Sequence, residues 1–141
     1  MIEIKKFTFD NKRLMRIAHK IRHTVFVIGQ NCPADLEYEF EEESTHFLIF
    51  NNDKPIATAR YRETTKGYKL ERFAVINSER GKGYGMIILN AILEHLKKEK
   101  KRKYLHAQQQ VTEFYEKVGF KKMGNLFEEA GIMHYKMIYK Q

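Results

Sequence analysis

The segment from Leu70 to Leu96 constrains this chain more than any other. An extended run, Glu71 to Ile76, is rich in residues that favour strands and leads through Asn77, Ser78 and Glu79 into Arg80-Gly81-Lys82-Gly83-Tyr84-Gly85. From Gly85 the period changes, and Ile87, Ile88, Ala91, Ile92, His95 and Leu96 recur at helical spacing. A strand, a glycine turn and a helix in immediate succession point to a sheet with helices packed on its faces. The three alternating glycines have two readings. They permit a tight turn. They also let a phosphate approach the amides that a helix N-terminus leaves unpaired and partly positive, where Arg80 and Lys82 add charge. The Walker pattern fails because Gly81-Lys82 is followed by Gly83, and GxGxxG is absent, which disfavours ATP and dinucleotides.

The rest of the chain supplies the other strands and helices. Ile2, Ile4, Phe7 and Phe9 nearly alternate with polar residues, as in an opening strand. Asp10 or Asn11 can then cap a helix whose Leu14, Ile17, Ala18, Ile21 and Val25 share one face. Thr45 to Phe50, the turn Asn51 to Pro55, and Ile56 to Glu63 read as an antiparallel hairpin, and a second turn near Thr65 to Gly67 leads into a strand from Tyr68 to Ile76. Lys103 to Ala107 is a short strand, Val111 to Lys117 a short helix ended by Gly119, and Phe120 to Met123 and Ile132 to Tyr139 are closing strands. This order predicts a mixed sheet with helices on its faces.

At 141 residues the chain is expected to form one domain over residues 1–141. Hydrophobic residues make up 43% and charged residues 31%, which argues against disorder. The longest apolar runs are four residues, too short for a membrane span, and the N-terminus lacks the pattern of a secretory signal, so the expectation is a cytoplasmic protein without a membrane partner. Cys32 stands alone and the six histidines form no close metal-binding pair, so no metal is expected. Of the formal charge of +8, Lys97 to Lys103 contributes +5, so the excess is mostly local. Six of the nine residues from Asp35 to Glu43 are acidic, a poor design for binding nucleic acid and a lip that would attract a cationic substrate, or simply a solvated loop.

Arg80, Gly83 and Gly85 also satisfy the pattern Arg/Gln-x-x-Gly-x-Gly/Ala directly after a strand, and here the sequence resembles the GNAT superfamily of acetyl-coenzyme A-dependent N-acyltransferases. Phe114 to Phe120 is similar to that family's second motif, a short helix carrying a tyrosine and ending in Gly-Phe. Leu105-His106-Ala107-Gln108, Glu129 to His134, Val25-Phe26-Val27 and Gln30-Asn31-Cys32-Pro33 resemble the ElaA/YjcF-like branch. Two positions depart from the pattern: Gly29 stands where that branch usually has glutamate, and Gln108 where many members have asparagine. The resemblance implies an α/β (α+β) fold with a mixed, mostly antiparallel sheet of about six to seven strands flanked by about four helices. It also implies acetyl-coenzyme A as co-substrate and a small-molecule amine as acceptor, transferred directly in a ternary complex.

For the cofactor, the resemblance implies Phe73, Ala74 and Val75, in a strand that splays from Tyr104 to Ala107 and frees backbone groups for the pantetheine arm. It adds Arg80, Gly81, Lys82, Gly83, Tyr84 and Gly85 for the pyrophosphate, with Gln108 and Tyr115. Tyr115 is the implied general acid, although its place in the apolar stripe Val111, Phe114, Tyr115, Val118 also suits a core tyrosine. As base, Glu71 comes first, since a carboxylate in a water-poor cleft has its pKa raised; it can instead pair with Arg72 or Arg60. His106 and His134 are alternatives, because imidazole titrates near neutrality, and ordered water is another. Glu71, His134 and Phe26 are the expected acceptor contacts. An amino acid, a polyamine or an aminoglycoside-like amine suits the acidic segment, and a protein amine stays open. A basic nucleic-acid-binding module using Lys97 to Lys103 with Tyr104 is the rival class, and a coenzyme A sensor without turnover is a third. A homodimer is compatible with all three.

Overall fold

The computed structural model describes residues 1–28 and 39–140, and of Val27 and Ile28 only the backbone. Strand β1 (Ile2–Thr8) leads into helix α1 (Lys12–Arg22), which continues as a wider π-helical turn over His23–Ile28. The Asn11 side chain caps α1 by accepting a hydrogen bond from the Leu14 N–H at 3.1 Å, one of the two caps expected. Two hairpins follow: β2 (Ser44–Asn51) with β3 (Lys54–Thr64), and β3 with β4 (Gly67–Val75). A short 3₁₀ turn at Asn77–Glu79 and the glycine loop precede α2 (Tyr84–His95). Then come β5 (Lys103–Gln108), a 3₁₀ turn (Gln109–Val111), α3 (Thr112–Val118), β6 (Phe120–Glu129) and β7 (Ile132–Tyr139).

The seven strands form one sheet in the order β1-β2-β3-β4-β5-β7-β6. Every neighbouring pair is antiparallel except β4 with β5. This agrees with the mixed sheet read from the sequence. Three α-helices, where about four were expected, stand among the described residues. The stripe Leu14, Met15, Ala18 and Ile21 of α1 packs on Phe7, Leu48, Phe50 and Ala74 on one face of the sheet. On the other face Ile88, Leu89, Ile92 and Leu93 of α2 pack with Phe47, Ile49, Leu70, Leu105 and Met137. Residues alternating along each strand therefore feed two apolar layers.

Strand β6 is longer than expected. Its apolar start, Phe120–Met123, is followed by Gly124 with φ 78°, and the pairing with β7 shifts between Met123 and Phe127. The strand resumes after this bulge and runs on to Glu129, so the glycine is only a kink. Ala130 and Gly131, both with positive φ, close the β6–β7 hairpin.

Among the described residues, three of the six basic side chains from Lys97 to Lys103 have partners within the protein. Lys97 pairs with Glu94 at 2.6 Å, Lys101 with Glu63, and the Lys103 ammonium donates to the Glu99 carbonyl at 2.6 Å. Tyr104, the ring considered for stacking on a base, is buried with its hydroxyl 2.7 Å from that of Thr64.

Candidate active site

The parallel pair β4 and β5 is held by only two register positions, Tyr68↔Lys103 and Lys69↔Tyr104. Beyond them the strands diverge and open a cleft of about 560 Å³, lined among others by Phe26, Phe73, Val75, Gly81, Gln108 and Tyr115. This is the splay that the sequence resemblance implied. At the opening β4 carries a bulge: its pairing with β3 shifts between Thr58 and Arg60, and Arg72 adopts φ 58°. A non-glycine residue in that region costs about 1–2 kcal/mol, and such strain collects at functional sites. The Ile76 N–H donates to the Ile56 carbonyl at 3.0 Å, so the adjacent pair Ala57↔Val75 is of the kind whose N–H and C=O groups turn away from the partner strand. Val75 therefore directs its backbone into the opening. Its carbonyl accepts a hydrogen bond from the Arg80 Nε at 3.2 Å.

The glycine loop has the shape of an anion cradle. Gly81 and Gly83 hold φ of 80° and 88°, and a Cβ built on either would meet no atom within 4 Å. Gly83 is the N-cap of α2, and the first return bond of the helix runs from the Ile87 N–H to the Gly83 carbonyl at 3.1 Å. Among the described residues, no aligned hydrogen bond within 3.5 Å joins the amides from Gly81 to Met86 to a protein acceptor. Unpaired amides, open space where side chains would stand, and a helix N-terminus fit a diphosphate. Lys82 turns to Glu79, 3.4 Å away. The Tyr84 ring is buried in the core and its hydroxyl accepts from Asn51 Nδ2 at 3.1 Å, which leaves its amide for the cradle. Gly85 lies against Phe114, whose ring is 3.5 Å from where a Cβ would stand. Ala74 is likewise a core residue.

Tyr115 stands on α3 at the inner end of the cleft, among the rings of Phe73, Phe114 and Phe120, with centroids 5.1–6.0 Å away. Burial pushes its phenol well above the ordinary value. Among the described residues its hydroxyl has no hydrogen-bond partner. The core reading of Tyr115 holds, and the same residue also lines the cleft.

Glu71 lines the cleft but is poorly suited to be a base. Burial would raise its pKa, yet the charges of Arg60, Lys69, Arg62 and Arg72 outweigh burial and hold it at about 2. Arg60 Nη2 lies 2.6 Å and Arg62 Nε 2.9 Å from its Oε2, and Lys69 stands 3.4 Å from Oε1. The first of these contacts is an ion pair by distance without an aligned N–H bond; Arg60 Nε makes the aligned bond at 2.8 Å. The expectation of a raised carboxylate is corrected here. The alternative pairing with Arg60 is the one found, and Arg62 and Lys69 add to it.

Two histidines share the cleft. His106 on β5 places Nδ1 2.9 Å from Glu129 Oε1, and His134 on β7 places Nδ1 2.7 Å from the Ile132 carbonyl. Gln108 pairs in register with His134, and its Oε1 accepts from Gln110 at 2.9 Å. Glu129 stands in the branch motif Glu129 to His134 but had no site role, because its contact with His106 depends on β6 running past Met123.

These features have relatives. The acetyltransferase (GNAT) domain family matches residues 17–141. The chain belongs to that family. The uncharacterized N-acetyltransferase YjcF of Bacillus subtilis is 35% identical over 138 residues, covering 96% of this chain and 99% of YjcF. The crystal structure of Escherichia coli ElaA superposes with a TM-score of 0.88 at 26% identity, covering 99% of this chain and all of that one. An aminoglycoside 6'-N-acetyltransferase complexed with coenzyme A shares the fold at 17% identity, with a TM-score of 0.76 over 96% of this chain and 95% of that one. This chain is a GNAT acyltransferase.

Of the GNAT front segment, Phe26 lines the cleft, whereas Gly29, Gln30, Asn31, Cys32, Pro33 and the acids from Asp35 to Glu37 lie outside the described residues. Glu41, the next inward acid, is no part of a lip. It is buried beneath α1, paired with Arg22 Nη1 at 2.9 Å and with Arg60 and His19. Burial would raise its pKa, but the His19 hydrogen bond and the charges of Arg22, Arg60 and His46 hold it at about 2. His46 donates Nε2–H to the Glu41 carbonyl at 3.1 Å, and burial holds its pKa down at about 4, against its ordinary 6.5. Its neutral form is the one that folds, so its contribution to stability is complete above pH 6.5 and falls as pH drops through that value toward 4. The loss amounts to about 3 kcal/mol by pH 4. Urea midpoints between pH 7.5 and 4 measure it, and a flat profile contradicts a neutral His46.

Proposed function

We propose that this chain is an acetyl-coenzyme A-dependent N-acetyltransferase that moves the acetyl group directly to a primary amine of a small molecule, both substrates being bound at once in the β4–β5 cleft. The observation that carries this reading is the set of unpaired amides from Gly81 to Met86 at the mouth of that cleft, with open space above Gly81 and Gly83. The coenzyme A complex of the similarly folded aminoglycoside acetyltransferase supports it. When bound, acetyl-coenzyme A supplies the activated acyl carbon.

The protein's own groups do the rest. Gly81, Gly83, Tyr84 and Gly85 offer amides to the diphosphate, and Arg80 and Lys82 add positive charge. Phe73, Ala74 and Val75 present their strand to the pantetheine arm, Val75 turns its N–H toward the position of the thioester oxygen, and Gln108 closes the far side. Tyr115 gives its proton to the departing sulfur. Phe26 and His134 border the acceptor, with Glu71 as part of the charged wall, and the base belongs to the imidazoles. Half of the basic run is paired within the protein and Tyr104 is buried, which weighs against a nucleic-acid partner.

Coenzyme A is expected to raise the melting temperature of the protein, and RNA or DNA of mixed sequence to leave it in place. Gly83→Val puts a β-branched side chain at φ 88°, in the space left for the diphosphate. It is expected to weaken coenzyme A binding roughly ten- to a hundredfold while the fold survives, as losing one or two charge-assisted hydrogen bonds would. Retained protection in that variant contradicts the cradle. Free-thiol release over a panel of amino acids, polyamines, aminoglycosides and basic peptides identifies the acceptor class, and coenzyme A protection without any release would make the protein a sensor.

A further inference from the structure

We infer that Glu129 and His106 act as a pair, Glu129 as a positioning residue that fixes the tautomer of His106, and His106 as the group that takes the proton from the acceptor nitrogen. This inference deepens the function proposed above and rests on it.

The geometry begins with chain topology. Glu129 sits at the end of β6, which is not a neighbour of β5, and reaches His106 across the intervening β7. The bulge after Met123 and the tight turn at Ala130 and Gly131 bring it there. The hydrogen bond from His106, opposed by burial and aided by the charges of His106, Lys69 and His134, holds the Glu129 carboxyl below its ordinary range. Glu129 is therefore an anion at neutral pH and can only accept. Its 2.9 Å contact then requires the hydrogen on His106 Nδ1, and the lone pair falls on Nε2, the nitrogen a base must offer.

His134 bonds a backbone carbonyl through Nδ1 and so also carries its lone pair on Nε2. The two differ in what a proton would cost. His134 is 7% exposed, and among the described residues no carboxylate lies within hydrogen-bonding distance of its ring. The side chains of His106 and Glu129 are 23% and 41% exposed, so an imidazolium there has a counter-charge and an outlet to water. Phe127 fixes both rings, edge-on to His106 at 5.1 Å and stacked on His134 at 5.9 Å. The charged and titratable groups around His106 are Glu129 on β6, His134 and Lys136 on β7, Lys69 and Glu71 on β4, and Tyr104 on its own strand. Lys69 and Lys136 oppose a further positive charge, which is what Glu129 offsets.

In the step, the amine lone pair forms the N–C bond and the C–S bond breaks with its electrons on sulfur. His106 Nε2 takes the proton from the nitrogen, and the sulfur takes one from Tyr115. Solvent carries a proton from His106 back to Tyr115, which restores both groups.

Nitrogen-15 NMR of histidine-labelled full-length protein tests the pair without turnover. His106 is expected as the Nδ1–H tautomer, and Glu129→Ala is expected to give a mixture of tautomers. In the acetyl transfer assay, Glu129→Gln is expected to lower the plateau of kcat/KM about tenfold and to move its acid limb to lower pH, while KM for acetyl-coenzyme A and thermal protection by coenzyme A stay as in the wild type. His106→Ala is expected to lose at least as much, and Glu129→Gln to add nothing in that background. An Nε2–H tautomer in the wild type, or a pH profile that Glu129→Gln leaves in place, overturns the pair. A wild type that neither gains stability from coenzyme A nor releases thiol overturns the proposed function instead, and the tautomer spectrum still decides the pair.

Discussion

Tyr115→Phe is expected to lower kcat for thiol release by about 10²- to 10⁴-fold, the range over which a positioned general acid contributes. The substitution removes one oxygen and keeps the ring, so the contacts with Phe73, Phe114 and Phe120 survive. Because no protein group among the described residues bonds the hydroxyl, stability should change by less than about 1 kcal/mol, and coenzyme A should still protect the fold. The raised phenol pKa bears on the chemistry. A dry site penalises every anion, so the surroundings that keep Tyr115 protonated also raise the proton affinity of a departing thiolate. Stopped-flow thiol detection at saturating substrates makes the measurement. A kcat within threefold of the wild type removes Tyr115 from the chemistry and leaves it as a core residue.

Glu41→Gln is expected to destabilise the fold by about 3–5 kcal/mol, the usual cost of removing one partner from a buried ion pair. Glu41 holds together Arg22 and His19 on α1 and Arg60 on β3. An amide of the same shape leaves the buried Arg60 facing Glu71 alone while Glu71 is also shared with Arg62 and Lys69. For a chain of this length the melting temperature should fall by roughly 10–15 °C. The effect should shrink as pH falls below 4.5, where the carboxyl takes up a proton in the unfolded chain, down to the folded pKa of about 2. Thermal melts of both proteins at pH 7.5 and 3 make the comparison. A loss under about 1 kcal/mol at pH 7.5 would mean that water, not Glu41, compensates the arginines.

The strands, the helices and the cradle were largely legible because each depends on residues close together in the chain. The alternation of Ile2 to Phe9, the stripe from Leu14 to Ile21, and the glycines before α2 report periods of two or 3.6 and a local need for positive φ. The extension of β6 beyond Met123 was not legible, since only pairing with β7 carries the strand past the bulge. The inward turn of the Tyr84 ring to Asn51 was not legible either, because a contact 33 residues away depends on how α2 packs on the sheet.

The local pattern alone determined that a strand would run into a glycine-capped helix with its first amides unpaired, because backbone conformation over a few residues follows from their own side chains. Which acids are bases, which are buried anchors and which imidazole gains a carboxylate were decided by the tertiary structure. Glu71 meets Arg60 through strand register, Glu41 meets Arg22 beneath a helix 19 residues back in the chain, and Glu129 meets His106 across an intervening strand. A carboxylate's proton affinity is set by the charges and water around it, and those neighbours come from anywhere in the chain.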